Sequence, residues 1–218
     1  MFDRRARELC KPALDVVGER LARVGIRANP LTGFGWVVGA GACVAVGFRL
    51  WIIALVAWLL NRAIDGLDGA LARRLGATDL GGYFDLLSDF SIYSGFILAL
   101  AIAVPGARVA SAVLLFSYYL SGTALLGVSA ILDRRGIGLG DDRSLRFLGG
   151  LAEGLETMVA YVIILVLPAQ AVVVEWIFAA MVLITVLQRI TWARRALQAP
   201  TEPPSLRADV ALHDFPAP

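Results

Sequence analysis

Apolar residues fill this chain in long blocks, and charged positions gather between the blocks rather than alternating within them. Blocks at 31–49, 50–74, 79–105, 108–132, 146–168 and 170–193 are each near or above the ~20 residues needed to cross a bilayer, which predicts six transmembrane helices. Pro105-Gly106 and Pro168 punctuate the turns after the third and fifth blocks. Ahead of them, Leu9, Leu14, Val17, Leu21 and Val24 recur every three to five residues among seven basic and four acidic side chains. That pattern predicts an amphipathic helix at the membrane surface over 1–27, with a short cytosolic cap helix as the other reading. The interleaved Asp3, Glu8, Asp15 and Glu19 argue against a cleaved secretory leader. After Ala199, Pro200, Pro203, Pro204, Pro216 and Pro218 interrupt a segment without apolar periodicity, expected to be a disordered tail over 199–218. The expected organisation is therefore one all-α, six-span bundle over 28–198 with a surface helix before it.

Composition sharpens this reading by exclusion. With 58% hydrophobic and 17% charged residues in 218 positions, a polytopic membrane protein fits and a soluble enzyme does not. Cys10 and Cys43 are the only cysteines and His213 the only histidine, so a disulfide framework and a His- or Cys-ligated metal are not expected. The net charge of +2 matters less than its distribution, and nucleic acid is not an expected partner. The N-terminal arginines, Arg73, Arg74, Arg134, Arg135, Arg143, Arg146, Arg194 and Arg195 fall on one side of the six-span scheme, and only Arg49 and Arg108 on the other. The positive-inside rule then places both termini in the cytoplasm, in a bacterial inner membrane.

Chemistry concentrates between Asp65 and Asp89. Counted from the outer boundary at ~1.5 Å per residue, Asp65 lies about 22 Å into the second span and Asp89 about 28 Å into the third. Asp65 and Asp68 share a helix face at i, i+3, and Asp85 and Asp89 do so at i, i+4. Four carboxylates at one depth repel unless a cation neutralises them. An all-oxygen set suits Mg²⁺ or Mn²⁺, with Ca²⁺ possible, and two such ions can clamp a phosphoryl group. Gly66, Gly69, Gly81 and Gly82 leave room for a ligand near the backbone. Arg73 offers a forked donor to phosphate, and Asn61 and Arg62 stand one turn before Asp65.

The spacing D-x2-D-G-x2-A-R followed by G-x3-D-x3-D, met by Asp65, Asp68, Gly69, Ala72, Arg73, Gly81, Asp85 and Asp89, resembles the signature of the CDP-alcohol phosphotransferases. Seven residues separate Arg73 from Gly81, one fewer than is usual there, which implies a tighter turn. The resemblance implies a homodimeric membrane transferase that moves a substituted phosphate from a CDP-linked donor to an alcohol and releases CMP. It assigns Asp65, Asp68, Asp85 and Asp89 to two metal ions, Mg²⁺ or Mn²⁺, with Asp89 also the base. It assigns Asp68, Gly69, Ala72, Arg73 and Gly81 to the CDP moiety. Asn29-Pro30-Leu31-Thr32 resembles the family's opening of the first span and adds Thr32 to the nucleotide site.

CDP-diacylglycerol is the expected donor, because a lipid can slide laterally into a site at the membrane edge, and a polar alcohol the expected acceptor. A CDP-amino-alcohol donor with diacylglycerol as acceptor is the mirror-image reading, and the motif does not separate them. Arg134, Arg135, Arg143 and Arg146 are candidates for a phosphorylated acceptor, or simply mark topology. Glu153 and Glu156 face the acceptor in one reading and pair with nearby arginines in the other. A cation or proton pathway is the competing function class. The acids gather at one face rather than through the midplane, which disfavours it. Glu175 and Arg189, inside the sixth block, carry no assignment.

Overall fold

Small side chains set the geometry of the helix pair that leads to the motif. The computed structural model describes residues 2–136 and 150–198, nine-tenths of which lie in helices. Helix α2 (Ala28–Gly47) buries Gly35, Gly39, Ala42, Ala45 and Val46. It packs there against α3 (Trp51–Leu75) and α4 (Asp79–Ala103). A Cβ at Gly39 would fall 2.8 Å from both Asn61 Nδ2 and Ile92 Cδ1, and one at Gly35 would fall 2.9 Å from Ile64 Cγ2. Glycine is what lets the helices approach this closely, the usual device where lipid supplies no hydrophobic drive between helices.

The remaining helices are α1 (Phe2–Arg23), α5 (Arg108–Arg134), α6 (Gly154–Val166) and α7 (Ala171–Gln198). Short 3₁₀ turns at Pro105–Ala107 and Pro168–Gln170 start where the prolines were expected to break the chain. Only Gly76, Ala77 and Thr78 separate α3 from α4, the tight turn implied by the shortened spacer. Gly76 takes φ +98°, and Thr78 Oγ1 caps α4 by accepting from Gly81 N at 3.1 Å. At the opposite end Arg49 adopts φ +59°, and its Nε donates to Ala103 O at 2.7 Å, satisfying a terminal carbonyl of α4.

The outer surface is apolar. Ala28–Gly47, Asp79–Ala103, Pro105–Arg134 and Pro168–Gln198 are long and apolar enough to cross a membrane, and at most 39% of the apolar window in each is buried inside the protein. Ile52, Ile102, Val109 and Leu187 point outward, as lipid-facing residues do. Two helices depart from the six equal spans read from sequence. Helix α3 has the length, but Arg62, Asp65, Asp68, Arg73 and Arg74 occupy its second half. Helix α6 has 13 residues, about 20 Å, and begins at Gly154 rather than 146. Residues 150–153 before it are not helical, and side chains take up their amides.

The core is aromatic and carries internal hydrogen bonds. Phe96 stacks on Tyr161 with centroids 4.0 Å apart, and Trp58 lies 5.0 Å from Tyr161. Tyr161 Oη donates to Tyr93 O at 2.8 Å and shares a 2.9 Å hydrogen bond with Tyr118 Oη, joining α4, α5 and α6. Buried phenols need such partners where no water reaches. Helix α7 is tied to α5 by its two buried charged residues. Ser111 Oγ donates to Glu175 at 2.7 Å, and Arg189 Nη1 donates to Ser121 Oγ at 2.7 Å and Ser121 O at 2.9 Å.

Candidate metal and phosphate site

Helix periodicity places the motif as its spacing predicts. One carboxylate oxygen from each of Asp65, Asp68 and Asp85 lies within 4.8 Å of the other two, across the α3–α4 pair. Asp68 is buried, Asp65 half-buried and Asp85 exposed, so the cluster opens to one side. Three carboxylates without histidine or cysteine make a hard-oxygen donor set, and these residues fit a divalent ion of the Mg²⁺, Mn²⁺ or Ca²⁺ kind.

Asp89 lies one helical turn beyond Asp85, outside that group of three, and is bound to an arginine. Arg62 Nη1 donates to Asp89 Oδ1 at 3.0 Å and lies 3.6 Å from Asp65 Oδ2. The same nitrogen donates to Tyr93 Oη at 2.7 Å, while Nε and Nη2 donate to Asn61 Oδ1 at 2.9 and 2.6 Å. Asn61 in turn donates to Gly35 O at 2.8 Å. The guanidinium sits 5.1 Å from the Trp58 ring and 5.0 Å from the Tyr93 ring, in range for cation–π attraction to both. Sequence alone placed Asn61 and Arg62 near the acids, but gave no sign of Trp58 and Tyr93, which hold the arginine.

The nucleotide-site candidates surround the same end. Thr32 donates to Ala28 O at 3.2 Å and interacts with the Asp68 carboxylate. Arg73 is exposed, and a Cβ at Gly69 would fall 3.4 Å from its Nη1. Ala72 is half-buried on the following turn. A Cβ at Gly81 would come 2.9 Å from Asn29 Oδ1 and 3.0 Å from Thr78 Oγ1. The Asn29–Thr32 segment therefore meets both halves of the motif. Gly66, expected to admit a ligand, faces the protein instead: a Cβ there would fall 3.2 Å from Leu14 Cδ1 of α1.

The acceptor candidates divide. Arg143 and Arg146 lie outside the described residues. Arg134 is exposed, and Arg135 Nη1 donates to Leu197 O at 2.8 Å, near the end of α7. Glu153 and Glu156 form a capping box on α6, in which Glu156 Oε2 accepts from Glu153 N at 3.1 Å. Glu153 Oε1 also accepts from Gly150 N at 2.8 Å, Gln188 Oε1 from Leu151 N at 3.0 Å and Thr185 Oγ1 from Ala152 N at 2.8 Å. Four consecutive amides thus end on side chains, two of them on these glutamates, a role that the sequence reading did not contain.

No family model matches the chain. It is 36% identical over 199 residues to the inner membrane protein YnjF of Escherichia coli (strain K12), covering 87% of this chain and 94% of that one. It is also 36% identical over 93 residues to the archaetidylinositol phosphate synthase of Pyrococcus horikoshii, covering 40% of this chain and half of that enzyme. In fold it resembles the phosphatidylinositol phosphate synthase of Mycobacterium tuberculosis. The structure with CDP-DAG bound gives a TM-score of 0.66 at 19% identity over 83% of this chain and 92% of that one. The complex with manganese and citrate gives 0.65 at 20% identity over 83% and 88%.

Proposed function

The chain belongs to the CDP-alcohol phosphotransferase family, and we propose that it transfers a phosphatidyl group from CDP-diacylglycerol to a polar alcohol with release of CMP. The observation that carries this reading is the convergence of Asp65, Asp68 and Asp85 with Asp89 one turn away. Related proteins whose names specify CDP-DAG and inositol phosphate products support it.

In this reading the acceptor hydroxyl oxygen attacks the phosphorus that carries diacylglycerol. A new P–O bond forms, the bond to the bridging pyrophosphate oxygen breaks, and CMP leaves with the electron pair. Asp89 takes the hydroxyl proton, and Arg62, which donates to its Oδ1, holds the carboxylate in place. Asp65, Asp68 and Asp85 would hold a divalent ion, Mg²⁺ or Mn²⁺, which would supply positive charge to the phosphoryl chemistry. Arg73 pairs with phosphate, and Thr32, Gly69, Ala72 and Gly81 shape the nucleotide site. Residues 28–198 form the catalytic unit, a homodimer of six-span protomers in the inner membrane. The distribution of arginines supports a cytoplasmic face for the motif end and both termini.

The test is CMP release by purified protein supplied with CDP-diacylglycerol and Mn²⁺. Inositol phosphate is tried first, then glycerol 3-phosphate, inositol, serine and choline. CMP that appears with one acceptor and vanishes with chelator supports the reading. CMP formed only from a CDP-amino-alcohol and diacylglycerol would reverse donor and acceptor, and none from any pair would overturn phosphotransfer.

A further inference from the structure

We propose that the outward stripe of α5 is where a second copy of this chain docks, with Tyr119 and Thr123 bonding the same residues of that copy across a two-fold axis. The inference rests on the membrane and homodimer readings above and names the surface that the dimer uses.

Two hydroxyls single out this face. Tyr119 is 71% exposed and Thr123 is exposed one turn on, and neither side chain has a hydrogen bond among the described residues. Helix α5 has 27 residues, with Tyr119 eleven after Arg108 and Thr123 eleven before Arg134. At ~1.5 Å per residue each lies about 17 Å from its end of the helix, so the two bracket the bilayer midplane. Acyl chains offer a hydroxyl nothing to bond, and no water stands in at that depth.

The other exposed hydroxyls of these helices are provided for. Ser91 Oγ donates to Ser88 O and Thr191 Oγ1 to Leu187 O, each at 2.8 Å. Tyr83 stands one turn from the start of α4, at the motif end, where headgroups and water begin. Tyr119 and Thr123 are left to a partner from outside the chain.

The surface around them has the period of a helix–helix seam. Ala112, Phe116, Tyr119, Thr123, Leu126 and Ala130 are all exposed and follow at intervals of four, three, four, three and four. Those are the a and d positions of a coiled coil, with alanine at both ends, where small side chains let backbones approach. Any lipid-facing stripe shares this period; the hydroxyls decide what covers this one.

A second copy supplies what they lack. Copies of one membrane protein share an orientation, so α5 meets α5 in parallel about an axis along the membrane normal, and like residues face each other. A carboxylate or an ammonium in such a layer would repel its twin. A hydroxyl both donates and accepts, so Tyr119 donates to Tyr119 of the partner subunit, and Thr123 pairs in the same way.

The test is disulfide formation in native membranes, on full-length chain with Cys10→Ser and Cys43→Ala. Ala112→Cys and Ala130→Cys keep both hydroxyls and should give covalent dimers on mild oxidation, whereas Val44→Cys on α2 and Leu187→Cys on α7 should not. No dimer at either α5 position, equal yields at the controls, or an adduct to a different protein in place of the dimer would overturn the proposal. The second measurement is energy transfer between labelled copies diluted in lipid bilayers. Tyr119→Phe combined with Thr123→Val should weaken the dimer roughly 3- to 20-fold, the range for an interhelical hydrogen bond in a membrane. An unchanged dissociation constant would overturn the hydroxyl pairing. A wild type that is monomeric in bilayers would overturn the homodimer and this inference together. Neither readout needs CMP release, so the phosphotransfer reading stands or falls separately.

Discussion

Gly66 of α3 lies against Leu14 of α1, so close that a Cβ at Gly66 would fall 3.2 Å from Leu14 Cδ1. One turn along each helix, a Cβ at Gly18 would fall 3.5 Å from Ala70 Cβ, and Arg74 pairs with Glu19 at 3.6 Å. The amphipathic helix is thus docked on the helix that carries Asp65 and Asp68.

Replacing Gly66 by leucine should lever α1 away from α3. Overpacking typically costs about 1–3 kcal/mol. The expected outcome is a lower melting temperature in detergent together with faster amide exchange across 14–23. Unchanged exchange there would show that α1 does not depend on this contact.

Asp89→Asn removes the proton acceptor and should lower kcat by about 10²–10⁴-fold with little change in donor KM. Asp65→Asn should abolish turnover by removing a metal ligand, and the protein should remain folded. Steady-state CMP release and size-exclusion profiles check both. Wild-type turnover in either variant removes the role assigned to that residue.

Arg73→Ala should weaken the nucleotide donor more than the acceptor, raising the KM for CDP-diacylglycerol selectively. The guanidinium is exposed beside the acids, with no ion pair to an acid among the described residues to account for it structurally. Equal changes in both KM values would speak against a phosphate contact.

A Cβ at Gly150 would fall 2.2 Å from Thr185 Cγ2, and Thr185 is held by donating to Met181 O at 3.0 Å and accepting from Ala152 N. Gly150→Ala should therefore destabilise the protein by about 1–3 kcal/mol. Thr185→Ser, which deletes the clashing methyl and keeps the hydroxyl, should recover part of that loss in the double variant. Purely additive melting shifts would rule out the contact as the cause.

Glu175→Gln keeps an acceptor for Ser111 Oγ and removes a fully buried carboxylate whose Oε2 has no hydrogen-bond partner among the described residues. Stability should be unchanged or raised, and CMP release unaffected. Loss of activity in a stable Glu175→Gln protein would give this residue a part in the reaction.

Much of the site was legible because helices translate spacing into geometry. Asp65 with Asp68, and Asp85 with Asp89, share faces in any regular helix, and the short Gly76–Thr78 turn keeps the two acid-bearing helix ends together. The glycines were less legible. Gly66 and Gly81 looked like space for a ligand, yet Gly66 serves α1 and Gly81 makes room for Asn29. A missing side chain does not record what fills its place. Glu153 and Glu156 were ambiguous for a similar reason: a carboxylate at a span end accepts from a substrate, an arginine or the backbone equally well, and here backbone amides are among their partners.

By itself the sequence determined that this is a helical membrane protein and that four aspartates gather at helical spacing as its candidate site, since apolar block length and helical period are local properties of the chain. Only the tertiary structure decided that Asp65, Asp68 and Asp85 converge while Asp89 is turned to Arg62. That division depends on Trp58, Asn61 and Tyr93 fixing one guanidinium between two helices, a contact between side chains up to 35 positions apart that no local pattern encodes.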